Sequence, residues 1–126
     1  MTDPEAFERA LREWSALREM YDPRSGVTAT PRRVGRANVL ARRFGKLAAS
    51  LSQTVEGRAA IERLMRDADP SVRSIAASYA LGWGAAEAVA VLESIAGLPG
   101  VTGLGAEYAL RRHRAGQGTP VKVHPD

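Results

Sequence analysis

Three features of this 126-residue chain predict an all-α fold. Apolar residues recur at three- and four-residue steps in one segment after another. A capping residue stands directly before proline at Asp3-Pro4, Thr30-Pro31 and Asp69-Pro70, the order that opens helices. No window alternates with period two between hairpin turns.

The first helix opens at Thr2-Asp3-Pro4-Glu5, where Thr2 or Asp3 caps and Pro4 fills the first turn. Phe7, Leu11, Trp14, Leu17 and Tyr21 form its apolar stripe, and Asp22-Pro23 ends it. Residues 24–30 read as a loop. A second helix restarts at Thr30-Pro31 and runs to about Gln53, with Val34, Ala37, Leu40, Phe44, Leu47 and Leu51 inward. The third covers about 57–66 with Ile61, Leu64 and Met65 inward, and stops at Asp67-Ala68-Asp69-Pro70. There Asp69 caps and Pro70 begins the fourth helix, whose inner face is Val72, Ile75, Ala76, Tyr79 and Ala80. After Gly82-Trp83-Gly84 a fifth helix over about 85–96 presents Ala88, Val89, Leu92 and Ile95. Residues 97–103 read as a loop, and a sixth helix runs to about Arg114 with Gly116 as its C-terminal cap. Residues 1–116 are thus expected to form one domain, and 117–126, with two prolines, an extended or disordered tail.

A mass of 13.5 kDa suffices for a single hydrophobic core. The 44% hydrophobic and 25% charged residues belong to a globular chain, not to a disordered or membrane one. Without cysteine there is no disulfide, thiolate nucleophile or cysteine zinc site. Charge or glycine breaks each apolar stretch before the roughly 18 residues of a membrane span, and the acidic start lacks signal-peptide features. The expected location is cytoplasmic.

The net charge of +4 is unevenly spread: residues 1–23 carry −3, residues 24–46 carry +7 with no acid, and the remainder is neutral. Most of the excess falls on the second helix. There Arg32, Arg36 and Arg43 share one stripe, with Arg33, Arg42 and Lys46 flanking it. Arginine grips carboxylate or phosphate with two parallel hydrogen bonds, which lysine cannot do. Two readings stand side by side: a face that is solvated or neutralised by the acidic first segment, and a site for a polyanion.

Ala77-Ser78-Tyr79-Ala80-Leu81 returns 29 residues later as Ala106-Glu107-Tyr108-Ala109-Leu110, each inside a helix that follows a shorter amphipathic one. A duplicated hairpin of this kind buries its apolar face by stacking on a neighbour, and small alanines permit close approach. The run from Asp67 to Gly82 resembles the turn and second helix of a HEAT repeat, with Asp69, Pro70, Val72, Arg73, Ala76, Ala77 and Leu81 at matching positions. In that family the arginine at the Arg73 position pairs with an acidic turn residue, so the resemblance implies a structural role. The second unit departs from the pattern, lacking both the acidic-proline turn and the Val-Arg pair. Residues 5–116 as a whole resemble a short bacterial family of HEAT-like domains of unknown function. The resemblance implies a short HEAT-like α-solenoid, about six helices in stacked antiparallel hairpins.

The search for reactive chemistry yields little. His113 and His124 are the only histidines; His113 lies among Arg111, Arg112 and Arg114, where positive charge opposes cation binding, and His124 lies in the tail. Ser50, Ser52, Ser71, Ser74 and Ser78 have no nucleophile-elbow context. Glycine-rich 98–105 lacks the strand and the Lys-Ser/Thr of a P-loop, and reads as a tight connection. The pairs Glu5/Glu8 and Asp67/Asp69 sit where helix starts favour acids. Trp14 belongs to the core stripe. Trp83, between two glycines, either closes the end of the stack or serves as an aromatic anchor at an interface.

The expected function is a non-catalytic protein-interaction module, by analogy an immunity or antitoxin-type protein that occludes one cognate, acidic partner. Its candidate contacts are Arg32, Arg33, Arg36, Arg42, Arg43, Lys46 and Trp83. No catalytic residue, metal or cofactor is expected. The alternative is nucleic-acid binding through the basic helix over 31–53, prompted by the arginine block and by HEAT-like DNA glycosylases, whose arrays are much longer.

Overall fold

Six α-helices and no strand make up the described residues of the computed structural model, which are 1–19 and 30–118. They are α1 (Asp3–Glu19), α2 (Pro31–Leu51), α3 (Val55–Leu64), α4 (Pro70–Ala80), α5 (Ala88–Ala96) and α6 (Val101–Gly118), with a single 3-10 turn at Leu81–Trp83 after α4. Tyr21, nearly all of the expected 24–30 loop and residues 119–126 of the expected tail lie outside the described residues.

Local chemistry sets the helix starts. Thr2 and Glu5 form a reciprocal capping box on α1, the Glu5 amide donating to Thr2 Oγ1 at 3.4 Å and the Thr2 amide to Glu5 Oε1 at 3.5 Å. Thr30 accepts from the Arg33 amide ahead of Pro31, Thr54 from that of Gly57, and Asp69 from that of Ser71 ahead of Pro70. Each cap satisfies a backbone donor that the first turn leaves unpaired.

Each helix packs on the next in sequence, most extensively α1 on α2 and α5 on α6, and α4 also touches α1 and α6. Leu11, Leu40, Ile61, Val72, Leu92 and Ile95, one or two from each of α1 to α5, are fully buried, and Leu110 of α6 joins the same core. Phe44 holds the first half together. Its ring meets Trp14 at 5.5 Å, Phe7 at 6.3 Å and Tyr79 at 6.4 Å, each edge to face, the geometry that the ring quadrupole favours. The repeat register also appears in burial: Ala77 and Ala106, 29 residues apart, are both fully enclosed.

Gly57 and Gly103 permit two close approaches. A Cβ on Gly57 would overlap the Leu51 carbonyl at the end of α2, and one on Gly103 would overlap the Leu98 carbonyl before α6.

The second half departs from the sequence reading at three boundaries. Ala85 hydrogen-bonds back to the Ala80 carbonyl, so 85–87 form a turn and α5 starts at Ala88. Helix α6 starts at Val101 inside the expected loop, because 97–100 suffice to reverse the chain and Leu104 bonds back to the Gly100 carbonyl. Gly116 lies within α6 and has no left-handed backbone, so it does not cap the helix; 117 and 118 continue it. Val34, expected inward, is 41% exposed.

Candidate interaction surface

The cap at Thr30 and the proline at 31 set where α2 begins, and a 3.6-residue pitch then divides its faces. Leu40, Phe44, Ala48 and Leu51 turn into the core. On the outer side, residues 32, 36, 39, 43 and 46 follow one another at alternating steps of four and three, which aligns Arg32, Arg36, Val39, Arg43 and Lys46 in a single row. All five are exposed, and Val39 forms an apolar spot amid the cations. Arg42 lies on the opposite flank beside Gly45, and Arg33 is half-buried near the start of the helix.

The acidic first segment does pack against this helix, yet it neutralises only part of the row. Arg36 Nε donates to Glu13 Oε2 at 2.7 Å across the α1–α2 contact. That hydrogen bond, aided by the charges of Arg36, Arg43 and Arg9, holds the Glu13 carboxyl below its ordinary range, and the same contact raises the Arg36 guanidinium. Among the described residues, Arg32, Arg33, Arg42, Arg43 and Lys46 form no ion pair.

The carboxylates that sequence spacing singled out are engaged in holding the fold. Glu5 belongs to the α1 cap. Arg12 clasps Asp67 with two hydrogen bonds, Nη2 to Oδ1 at 2.6 Å and Nη1 to Oδ2 at 3.2 Å, and donates from Nε to Glu8 at 2.9 Å. The Arg12 bond, with help from the Asp69 amide, keeps the Asp67 carboxyl below the usual range. Buried Ser15 donates to Asp69 Oδ2 at 2.7 Å while Asp69 Oδ1 caps α4. Arg73 does not pair with an acidic side chain of the turn; it donates to the carbonyls of Asp67 at 2.9 Å and Ala68 at 3.1 Å. Arg12, arriving from α1, already occupies both Asp67 oxygens, so Arg73 satisfies the free carbonyls just beyond α3 instead.

Two grooves open on either side of the end of α4. The first, of about 360 Å³, lies between α2 and α4 and is bounded by Gly45, Ala49, Arg58, Tyr79, Gly82 and Trp83. Trp83 forms a wall: it is half-buried, packs against the core and donates from Nε1 to Glu62 Oε2 at 2.7 Å, while the Arg58 guanidinium covers its ring at 5.4 Å. Arg58 is aimed there by its Nε bond to the Ser52 carbonyl at 2.7 Å. Burial pushes the Tyr79 phenol up, and its hydroxyl has no hydrogen-bond partner among the described residues. The second groove, of about 480 Å³, lies between α4 and α6 and includes Leu81, Gly82, Tyr108, Ala109, Arg112 and His113. Arg112 covers the Tyr108 ring at 5.9 Å, and Tyr108 is 60% exposed. A third groove carries Glu62 and Glu87 as well as Arg63 and Arg66, with Arg66 and Glu87 already paired at 2.7 Å.

The structure therefore brings Arg32, Arg36, Arg43 and Lys46 together on the outer side of α2 and sets Trp83 apart from them, in the groove between α2 and α4. Sequence reasoning passed over Arg58, whose partner Trp83 lies on another element and is recognisable only once the helices are packed, and over Tyr108 and Arg112, a pair that their four-residue spacing on α6 could have revealed. The tyrosines at 79 and 108 were visible as a repeat, but not as parts of grooves. Among the described residues no three metal-ligating side chains gather, and no helix is long and apolar enough to cross a membrane. His124 lies outside the described residues. No family model, curated protein or solved structure matches the chain.

Proposed function

We propose that this chain is a non-catalytic, cytoplasmic interaction module that binds one acidic protein partner through the outer face of α2, on a HEAT-like framework of stacked helical hairpins. One observation carries the reading: an exposed row of arginine and lysine interrupted by Val39, with only Arg36 engaged by an acid among the described residues. Guanidinium groups around an apolar spot suit a protein surface of carboxylates bordering an apolar patch, where aliphatic contact supplies affinity and charge supplies register and fast encounter. An occluding role, as in immunity or antitoxin proteins, fits such an extended face.

The test is affinity capture from a native-host lysate with and without nuclease, read by mass spectrometry. The expected result is one stoichiometric acidic protein that survives nuclease, is lost with the double variant Arg32→Glu/Arg43→Glu at unchanged helicity, and binds more slowly as salt rises. Capture dominated by nucleic acid and abolished by nuclease would overturn the reading in favour of a polyanion site on the same helix.

A further inference from the structure

The two grooves beside α4 share Gly82 as a common wall residue. A Cβ built there meets nothing within 4 Å, so the divide between the grooves carries no side chain and opens to solvent. No carboxylate lines either groove among the described residues, whereas both contain uncommitted donors. These are the terminal guanidinium nitrogens of Arg58, the Tyr79 hydroxyl and, across Gly82, the Arg112 guanidinium over Tyr108. Beside Arg112 the second groove is lined by Leu81, the bare Gly82 and Ala109, with Ser78 and His113 also on its wall.

We propose that the two grooves form one trough, crossing the 3-10 turn after α4 at Gly82, that binds an extended acidic peptide segment of a protein partner. The proposal rests on the reading that the partner is an acidic protein, and it adds a contact region separate from the outer row of α2. Two cationic ends around an apolar saddle match carboxylate side chains spaced by apolar ones. A nucleic-acid strand carries a charge at every link and would set phosphates over Leu81 and Ala109 without a counter-ion. Gly45 supports the fit: it brings the α2 backbone beside Tyr79, with room for a Cβ at 3.7 Å from the hydroxyl and nothing to cover it. The Arg58 and Arg112 heads are held over aromatic rings, so little side-chain freedom is lost when a carboxylate binds them.

The experiment uses the full chain, 15N-labelled, titrated at low salt with a ten-residue capped peptide of alternating glutamate and leucine. The Trp83 indole N–H and the Gly82 and Tyr108 amides should shift together and saturably. Arg58→Gln should weaken binding about tenfold, the effect of removing a charge-assisted bond. Gly82→Glu should abolish it by filling and charging the crossing, whereas Gly82→Ala should leave it within about twofold. The Arg32→Glu/Arg43→Glu variant should still bind the peptide, which keeps the trough distinguishable from the α2 face. The proposal is overturned if those three resonances stay fixed, if Gly82→Glu binds as the parent does, if the α2 double variant loses the peptide, or if an oligodeoxynucleotide of equal charge moves the same resonances at lower concentration.

Discussion

The clasp between Arg12 and Asp67 joins α1 to the turn 55 residues further along and makes a quantitative prediction. Two parallel charge-assisted bonds in a shielded place would be worth roughly 1.5–3 kcal/mol. Asp67 is only 17% exposed, but the Arg12 side chain is 43% exposed, so solvent screens its share and the value falls to about 1 kcal/mol, the upper end for surface pairs. A double-mutant cycle with Arg12→Met and Asp67→Asn, followed by urea denaturation at pH 7, should therefore return a coupling of about 1 kcal/mol. Asparagine retains an acceptor for the Asp69 amide, which limits collateral loss. The pH dependence has a definite sign. The folded Asp67 carboxyl titrates below its unfolded value, so the contribution is fully present above the unfolded carboxylate range near ~3.9 and is lost as pH falls through the lower folded value. The parent and Arg12→Met should accordingly converge in stability only once the pH lies below the folded Asp67 value. A coupling under about 0.3 kcal/mol, or a gap independent of pH, would refute the assignment of this clasp as the tie between α1 and the rest.

Three further substitutions bear on the fold. Phe44→Ala removes a 5% exposed ring that meets three other rings and should cost about 3–5 kcal/mol in chemical denaturation, a large part of the stability of a domain this size; a loss under about 1.5 kcal/mol would mean that the cluster repacks. Gly57→Ala drives a methyl into the Leu51 carbonyl and should destabilise by more than about 1 kcal/mol, whereas Gly82→Ala, in open space, should be neutral or stabilising by about 0.4–1 kcal/mol; equal thermal midpoints for the two variants would contradict the close approach of α2 and α3.

The starts of α1, α2 and α4 were legible because a capping residue beside a proline encodes its effect within a few residues, whereas α3 was read from about 57 and in fact begins at Val55 behind the Thr54 cap. Thr30-Pro31 and Asp69-Pro70 need no tertiary context to begin a helix. The starts of α5 and α6 were not legible, since neither shows a side-chain cap in the structure, and the bonds that place them run backwards to Ala80 and Gly100. The cationic face of α2 follows from periodicity alone. The trough does not, because Arg58 and Trp83 belong to different elements and no spacing rule relates them. The repeated tyrosines make the same point: pentapeptides that differ only at Ser78 and Glu107 place Tyr79 among Phe7 and Phe44, while Tyr108 remains 60% exposed because α1 and α2 cover the first repeat and no described element covers the second.

Helix α2 carries the aromatic hub on one side and the cationic row on the other, with Phe44 directly after Arg43 in sequence. Substitutions on the outer row leave the hub untouched, so that row is free to drift in charge and shape with little loss of stability. Insertion or deletion of a single residue in the helix would instead turn both sides by about 100° at once. Variation that tracks a changing partner is therefore open to this protein by point mutation, while changes in the length of α2 are closed to it.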